Sequence, residues 1–191
     1  MNKQSFIIVC TAAVVGSVLL LIFAVGMGFA IRSKYERFRI PQNGMYPTLP
    51  AGSTHWVTKN SFESADEFSL GDIVVFKIQR SNKTYSYVWR VIALPGDEVS
   101  IELDQIKING VLIDREFKVR EGELAIFVET HGEEAYEVAY DSGAPAEDRV
   151  GCQLTVPDGQ LFLLGDNRYV AADSRYHGPV PIADVLGKIH P

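Results

Sequence analysis

Ile40-Pro41-Gln42-Asn43-Gly44-Met45-Tyr46-Pro47-Thr48-Leu49 follows neither the two-residue period of a strand nor the 3.6-residue period of a helix. Its two prolines lock φ and restrict the residues before them, which fixes an irregular backbone. Upstream, residues 6–31 carry no charge and are mostly Val, Leu, Ile, Ala, Phe and Gly. About 20 apolar residues cross a hydrocarbon core as a helix, and this run is longer. A cleavable signal peptide has an apolar core of only about 7–15 residues. The expected division is a tail over 1–5, an uncleaved transmembrane anchor over 6–31, a basic juxtamembrane linker over 32–39 and one body over 40–191.

The chain has 191 residues and a formal net charge of −6. The charge is uneven: residues 40–191 hold 13 Lys and Arg against 23 Asp and Glu, a net −10. So acidic a body argues against nucleic acid as a partner. Cys10 lies in the apolar run and Cys152 in the body, so no intrachain disulfide is expected. His55, His131, His177 and His190 are scattered without metal-ligand spacing, and no metal or cofactor is expected.

Downstream of Leu49 the pattern is that of strands. Ile73-Val74-Val75-Phe76 follows a Gly71-Asp72 turn signal, and Tyr85 to Ile92 runs into Leu94-Pro95-Gly96-Asp97. Residues 99–103 alternate. Ile106-Lys107-Ile108 precedes Asn109-Gly110, the signature of a two-residue hairpin turn, with Val111 to Ile113 as its return strand. Leu124 to Val128, Tyr136 to Tyr140 and Leu161 to Leu164 read as three more strands, and 141–150 as a surface loop. Residues 60–69 suit a brief helical turn. The fold class is mainly β, an antiparallel body behind one N-terminal transmembrane helix.

Four stretches then stand out in order: 40–49, Leu70 to Phe76, Tyr87 to Asp97, and Gly165 to Arg175. Together they resemble the conserved boxes of type I signal peptidases. The first box of that family reads Pro-Ser-x-Ser-Met-x-Pro-Thr-Leu, and Pro41, Met45, Pro47, Thr48 and Leu49 match it. The third matches Tyr-Ile-Lys-Arg-Val-Ile-Gly-Leu-Pro-Gly-Asp, and the fourth Gly-Asp-Asn-x-x-x-Ser-x-Asp-Ser-Arg. The resemblance implies the signal peptidase type of β body.

That family cuts a peptide bond with a serine activated by a neutral lysine. The resemblance places Gly44 at the nucleophile, Trp89 at the base, Gln42 at the oxyanion serine and Ala171 at the serine that orients the lysine. None of the four carries the family's side chain. Removing a serine-hydrolase nucleophile or its base costs about 10⁶ in turnover in one well-studied protease. A catalytically inactive member is therefore expected. The neighbours Arg90, Asp166, Asn167, Asp173, Ser174 and Arg175 are kept and are expected to support the cleft, with Asp173 and Arg175 as an ion pair and Asp166 capping its turn. Trp89 and Gly44 are expected to pack together, large against small. Thr48, Ser53 and His55 lie near the first box without the spacing to a base that a dyad needs.

By the same resemblance, Phe38, Ile40, Pro41, Met45, Leu49, Val75, Tyr87 and Val88 would wall a groove for an extended segment, held by β-addition. The implied partners are the membrane and signal peptides, preproteins or an active paralogue. The implied location is the bacterial plasma membrane, single-pass, with the C-terminal body on the periplasmic or extracytoplasmic face. The Lys and Arg count alone points the other way, because Arg32, Lys34, Arg37 and Arg39 follow the span and only Lys3 precedes it. Two other readings stand beside this one: an active signal peptidase with an unrecognised nucleophile, and a structural envelope protein with a vestigial cleft. Residues 104–160 carry no motif and read as inserted hairpins and a loop between the third and fourth boxes.

Overall fold

The computed structural model describes residues 15–27, 34–60, 62–80, 82–102, 104–145 and 149–189. It divides into two units, Met1–Glu36 and Arg37–Pro191. In the first, residues 15–27 form a helix, α1, whose every residue is exposed although most are large and apolar. Among the described residues no helix is long and apolar enough to cross a membrane. The rest of the expected 6–31 span lies outside the described residues.

The body is mainly β, as its alternating runs require. A seven-stranded sheet combines β1 (Tyr35–Arg39), β2 (Thr54–Lys59), β14 (Val185–Ile189), β3 (Ile73–Arg80), β4 (Lys83–Ala93), β12 (Gln160–Leu164) and β13 (Val180–Pro181), in that spatial order. A four-stranded sheet runs β11 (Cys152–Thr155), β5 (Glu98–Glu102), β6 (Gln105–Ile108), β7 (Val111–Leu112). A three-stranded sheet runs β10 (Glu134–Asp141), β9 (Leu124–His131), β8 (Asp114–Glu121). From β2 onward the strand pairings are antiparallel.

Local chemistry sets the corners. Asn109 and Gly110 both take positive φ, 52° and 79°, the tight turn their residue types favour. Ile108 then faces Val111 across the hairpin. The helical turn expected in 60–69 is a 3₁₀ turn over Ala65–Glu67, closed by a Ser64–Glu67 capping box. Two departures are informative. The stretch expected as a basic linker contains β1, because Phe38 turns inward between exposed Arg37 and Arg39. The charged run 114–121 is β8, whose alternation is hidden because both of its faces carry charges.

Two cores result. One gathers Ile40, Met45, Leu49, Val74, Phe76, Trp89, Leu161 and Leu163, the other Ile92, Val99, Ile108, Val138, Phe162 and Leu164. Strand β12 serves both, since successive residues point to opposite faces. The hairpins of 104–160 are not a free appendage. Ala139 on β10 bridges Asn167, donating to the Asp166 carbonyl at 2.8 Å and accepting from the Arg168 N–H at 2.9 Å.

Candidate functional site

The first box winds into one 3₁₀ turn over Asn43–Met45, with Gly44 and Met45 buried. Asn43 Oδ1 accepts from the Ala51 N–H at 3.0 Å, and the Leu49 N–H donates to the Met45 carbonyl at 2.8 Å. These bonds hold the irregular segment that its prolines keep out of helix and sheet. The Gly44 carbonyl accepts from the Asn167 N–H at 3.0 Å, which joins the first box to the fourth.

All four boxes meet at one buried ion pair. Arg90 Nε and Nη2 donate to Asp166 Oδ1 and Oδ2 at 2.8 and 2.6 Å, and Nη1 donates to the Gly71 carbonyl at 2.9 Å. Thr48 Oγ1 donates to Asp166 Oδ2 at 2.5 Å and accepts from Arg90 Nη2 at 3.2 Å. The Tyr136 ring lies 4.3 Å from the guanidinium carbon. A bidentate pair whose remaining donors are also used is the arrangement in which buried charges are tolerated. Asp166 was expected to cap its own turn. Instead its carboxylate binds Arg90, because a buried guanidinium requires a charged acceptor.

The remaining kept residues act on the fourth box. Arg175 Nε and Nη2 pair with Asp173 at 2.8 Å each, the ion pair expected from sequence. Asp173 Oδ2 also accepts from the Gly165 N–H at 3.0 Å, and Ser174 Oγ accepts from the Leu163 N–H at 3.0 Å. Asp173 thus caps the short helix α2 (Ser174–His177) and pins it to β12. His177 ends α2 at the surface.

The four positions that the resemblance singles out, 42, 44, 89 and 171, form two groups. A Cβ built on Gly44 would lie 2.5 Å from Trp89 Cη2 and 2.5 Å from Cζ3. A Cβ on Gly165 would lie 3.0 Å from Trp89 Cε3 and 2.6 Å from the Gly44 carbonyl, and would also strike Ala171. The indole, 6% exposed, is therefore wedged where glycines stand at 44 and 165, and Ala171 shares its core cluster. Gln42 is exposed at the rim. No hydroxyl stands at 44 and no amine at 89.

A cleft of about 220 Å³ borders this point. Of the expected groove residues, Ile40, Pro41, Met45, Tyr87 and Val88 line it, with Gln42, Gly44 and Trp89. Three do not: Leu49 and Val75 lie in the core, and Phe38 packs against that core from β1. Their apolarity serves packing, a use that sequence cannot distinguish from pocket lining. A larger cavity of about 720 Å³ is lined by Thr48, Asp72, Arg90, Glu134 and Glu137 among others, and by none of positions 42, 44, 89 and 171.

The expectation that no dyad spacing exists near the first box needs correcting. His55 Nε2 lies 2.9 Å from Ser53 Oγ, since positions two apart on an extended strand share a face. The Ser53 hydroxyl donates to the Pro50 carbonyl at 2.6 Å, so its proton is not directed at the imidazole. Neither residue lines the cleft. Cys152 is free and half-buried, and burial pushes its thiol up to about 11, far from a thiolate at neutral pH.

Sequence reading missed Gly165 as a packing requirement, and Arg168 with Glu129 as a buried pair. Arg168 Nη1 and Nη2 donate to the Glu129 carboxylate at 2.9 and 2.5 Å, joining the fourth box to β9. Neither residue carries a local signal of this, because the two lie 39 positions apart and meet only through the fold.

The family model described as signal peptidase, peptidase S26, matches residues 12–191. Signal peptidase I of Bacillus caldolyticus is 30% identical over 161 residues, 81% of this chain and 77% of that protein. A probable signal peptidase I-2 of Synechocystis is 30% identical over 173 residues, 88% of this chain and 67% of that protein. The crystal structure of a signal peptidase I from Enterococcus faecalis aligns with a TM-score of 0.41 at 26% identity, covering 64% of this chain and 97% of that one. With a family model that spans almost the whole chain and relatives alike over most of their length, this protein belongs to the signal peptidase family, peptidase S26.

Proposed function

We propose that this protein is a membrane-anchored, non-hydrolytic member of its family that holds an extended segment of an exported protein in the cleft without cutting it. One observation carries the reading: the Trp89 ring occupies the space that a side chain at position 44 would need. A nucleophile and a base have no room to face each other there. Oxyanion donors without those groups leave at best about 10³–10⁴ over water.

What supports retained binding is the edge of β4. Strand β12 pairs with Arg90, Val91 and Ala93, so, among the described residues, 83–89 of β4 pair with β3 alone. Unpaired strand backbone beside an apolar cleft suits an added strand, with small side chains seated in shallow pockets. The reading takes the apolar run of residues 6–31 as an anchor in the bacterial plasma membrane and the body as lying on the outer face, where exported segments and an active paralogue are the partners it would meet.

The experiment is to incubate the full-length chain with a preprotein and follow both products and contacts. The expected result is no cleavage, with crosslinks from the cleft to the uncleaved signal peptide. A cleavage product abolished by Ser53→Ala or His55→Ala would favour the second reading, an active enzyme, which the 2.9 Å Ser53–His55 contact motivates. Crosslinking no stronger than to an unrelated β domain would favour a structural role in the envelope.

A further inference from the structure

Packing alone does not account for a tryptophan at position 89. Its Nε1 is buried and has no hydrogen-bond partner among the described residues. Buried tryptophans are favoured where the N–H reaches an acceptor, and a buried orphan donor is costly. A phenylalanine would fill much of the same space without that penalty.

The wedge also decides which edge of the ring is available. Cζ3 and Cη2 are the atoms pressed towards Gly44. Nε1 is carried by the ring carbon para to Cζ3, so it lies on the edge turned away from Gly44. Trp89 is itself a wall of the 220 Å³ cleft, together with Tyr85, Tyr87 and Val88 of the same strand. The side of β4 that β12 leaves unpaired covers those residues too. An orphan donor, an apolar cavity and unpaired strand backbone are thus found on one short stretch.

We infer that the Trp89 Nε1–H is a recognition donor, giving its hydrogen bond to a backbone carbonyl of an extended segment seated in the cleft along β4. The inference rests on the proposed binding function and names the group that replaces the lost chemistry. In the free chain the N–H is covered, so engagement goes with a shift of cleft-lining side chains, of which Gln42, Tyr85 and Ser86 are exposed. A backbone carbonyl is common to every sequence. Selection therefore falls to the apolar lining, to which Ile40, Met45 and Val88 belong.

The test uses the full-length chain in detergent micelles and a fluorescein-labelled decapeptide in which alanine alternates with polar residues. Trp89→3-benzothienylalanine keeps the ring shape and replaces the N–H by sulfur. The expected result is a Kd about three- to tenfold weaker, the loss of one hydrogen bond, with the Tm of the free chain unchanged or higher because the orphan donor is gone. Equal affinity in wild type and variant overturns the inference while leaving the binding function intact. Weaker binding accompanied by a lower Tm traces to packing and overturns it as well. A wild-type chain that does not bind the peptide at all overturns the binding function itself, and the inference with it.

Discussion

Gly44 and Trp89 are complementary in volume, and this complementarity is testable at the scale of single residues. Adding a side chain at 44 forces atoms to 2.5 Å from the indole, and overpacking of that kind costs about 1–3 kcal/mol. Gly44→Ser is therefore expected to lower the thermal midpoint. Trp89→Lys removes a buried ring and is expected to cost more, about 3–5 kcal/mol. The double substitution is expected to be less destabilised than the sum of the two, with a coupling of at least about 1 kcal/mol, because each change relieves what the other creates. Thermal melts of the four chains check this. A Gly44→Ser chain as stable as wild type would mean that the ring moves aside freely, and the wedge would carry no weight.

At the scale of elements, β10 and the fourth box behave as one piece. The β10 backbone bonds to residues 166–168, and the buried Arg168–Glu129 pair ties that loop to β9. Removing one partner of a buried pair leaves an uncompensated charge, whereas replacing both with apolar residues is often neutral. Glu129→Leu alone is expected to destabilise by about 3–5 kcal/mol, and Glu129→Leu with Arg168→Met to recover most of that loss. Urea midpoints of the two variants separate the outcomes; a single variant as stable as the double would deny the pair its structural role. The sequence signals for these elements were uneven. β3 and β4 announce themselves as runs rich in β-branched residues, and β12 as a short continuous apolar run. β8 does not, because charges on both of its faces hide its alternation.

For the whole molecule the open conflict is orientation. Four basic residues follow the apolar run and one precedes it, a bias that by itself holds a body in the cytoplasm. The proposed function requires the opposite face. C-terminal fusions decide: an alkaline phosphatase fusion is expected to be active and a green fluorescent protein fusion dark when the body is outside. The reverse pattern would remove the proposed partners, since signal peptides would no longer reach the cleft as exported segments. The body's net charge of −10 has no bearing on this choice, since the orientation rule counts basic residues close to the span.

By itself, the sequence determined the strand-rich body, the long apolar run, the family, and that Gln42, Gly44, Trp89 and Ala171 carry no serine or lysine. Each of these depends on residue identity, order or period, which a linear reading contains. The tertiary structure alone decided that Arg90, Asp166, Thr48 and Gly71 converge, that Leu49 and Val75 belong to the core and not to the cleft, and that Ser53 and His55 touch. It also decided that Gly165 shares with Gly44 the space beside the indole, where the sequence led to Gly44 alone. Such facts depend on distances between segments far apart in the chain, set by how sheets pack around two cores, and no local pattern encodes them.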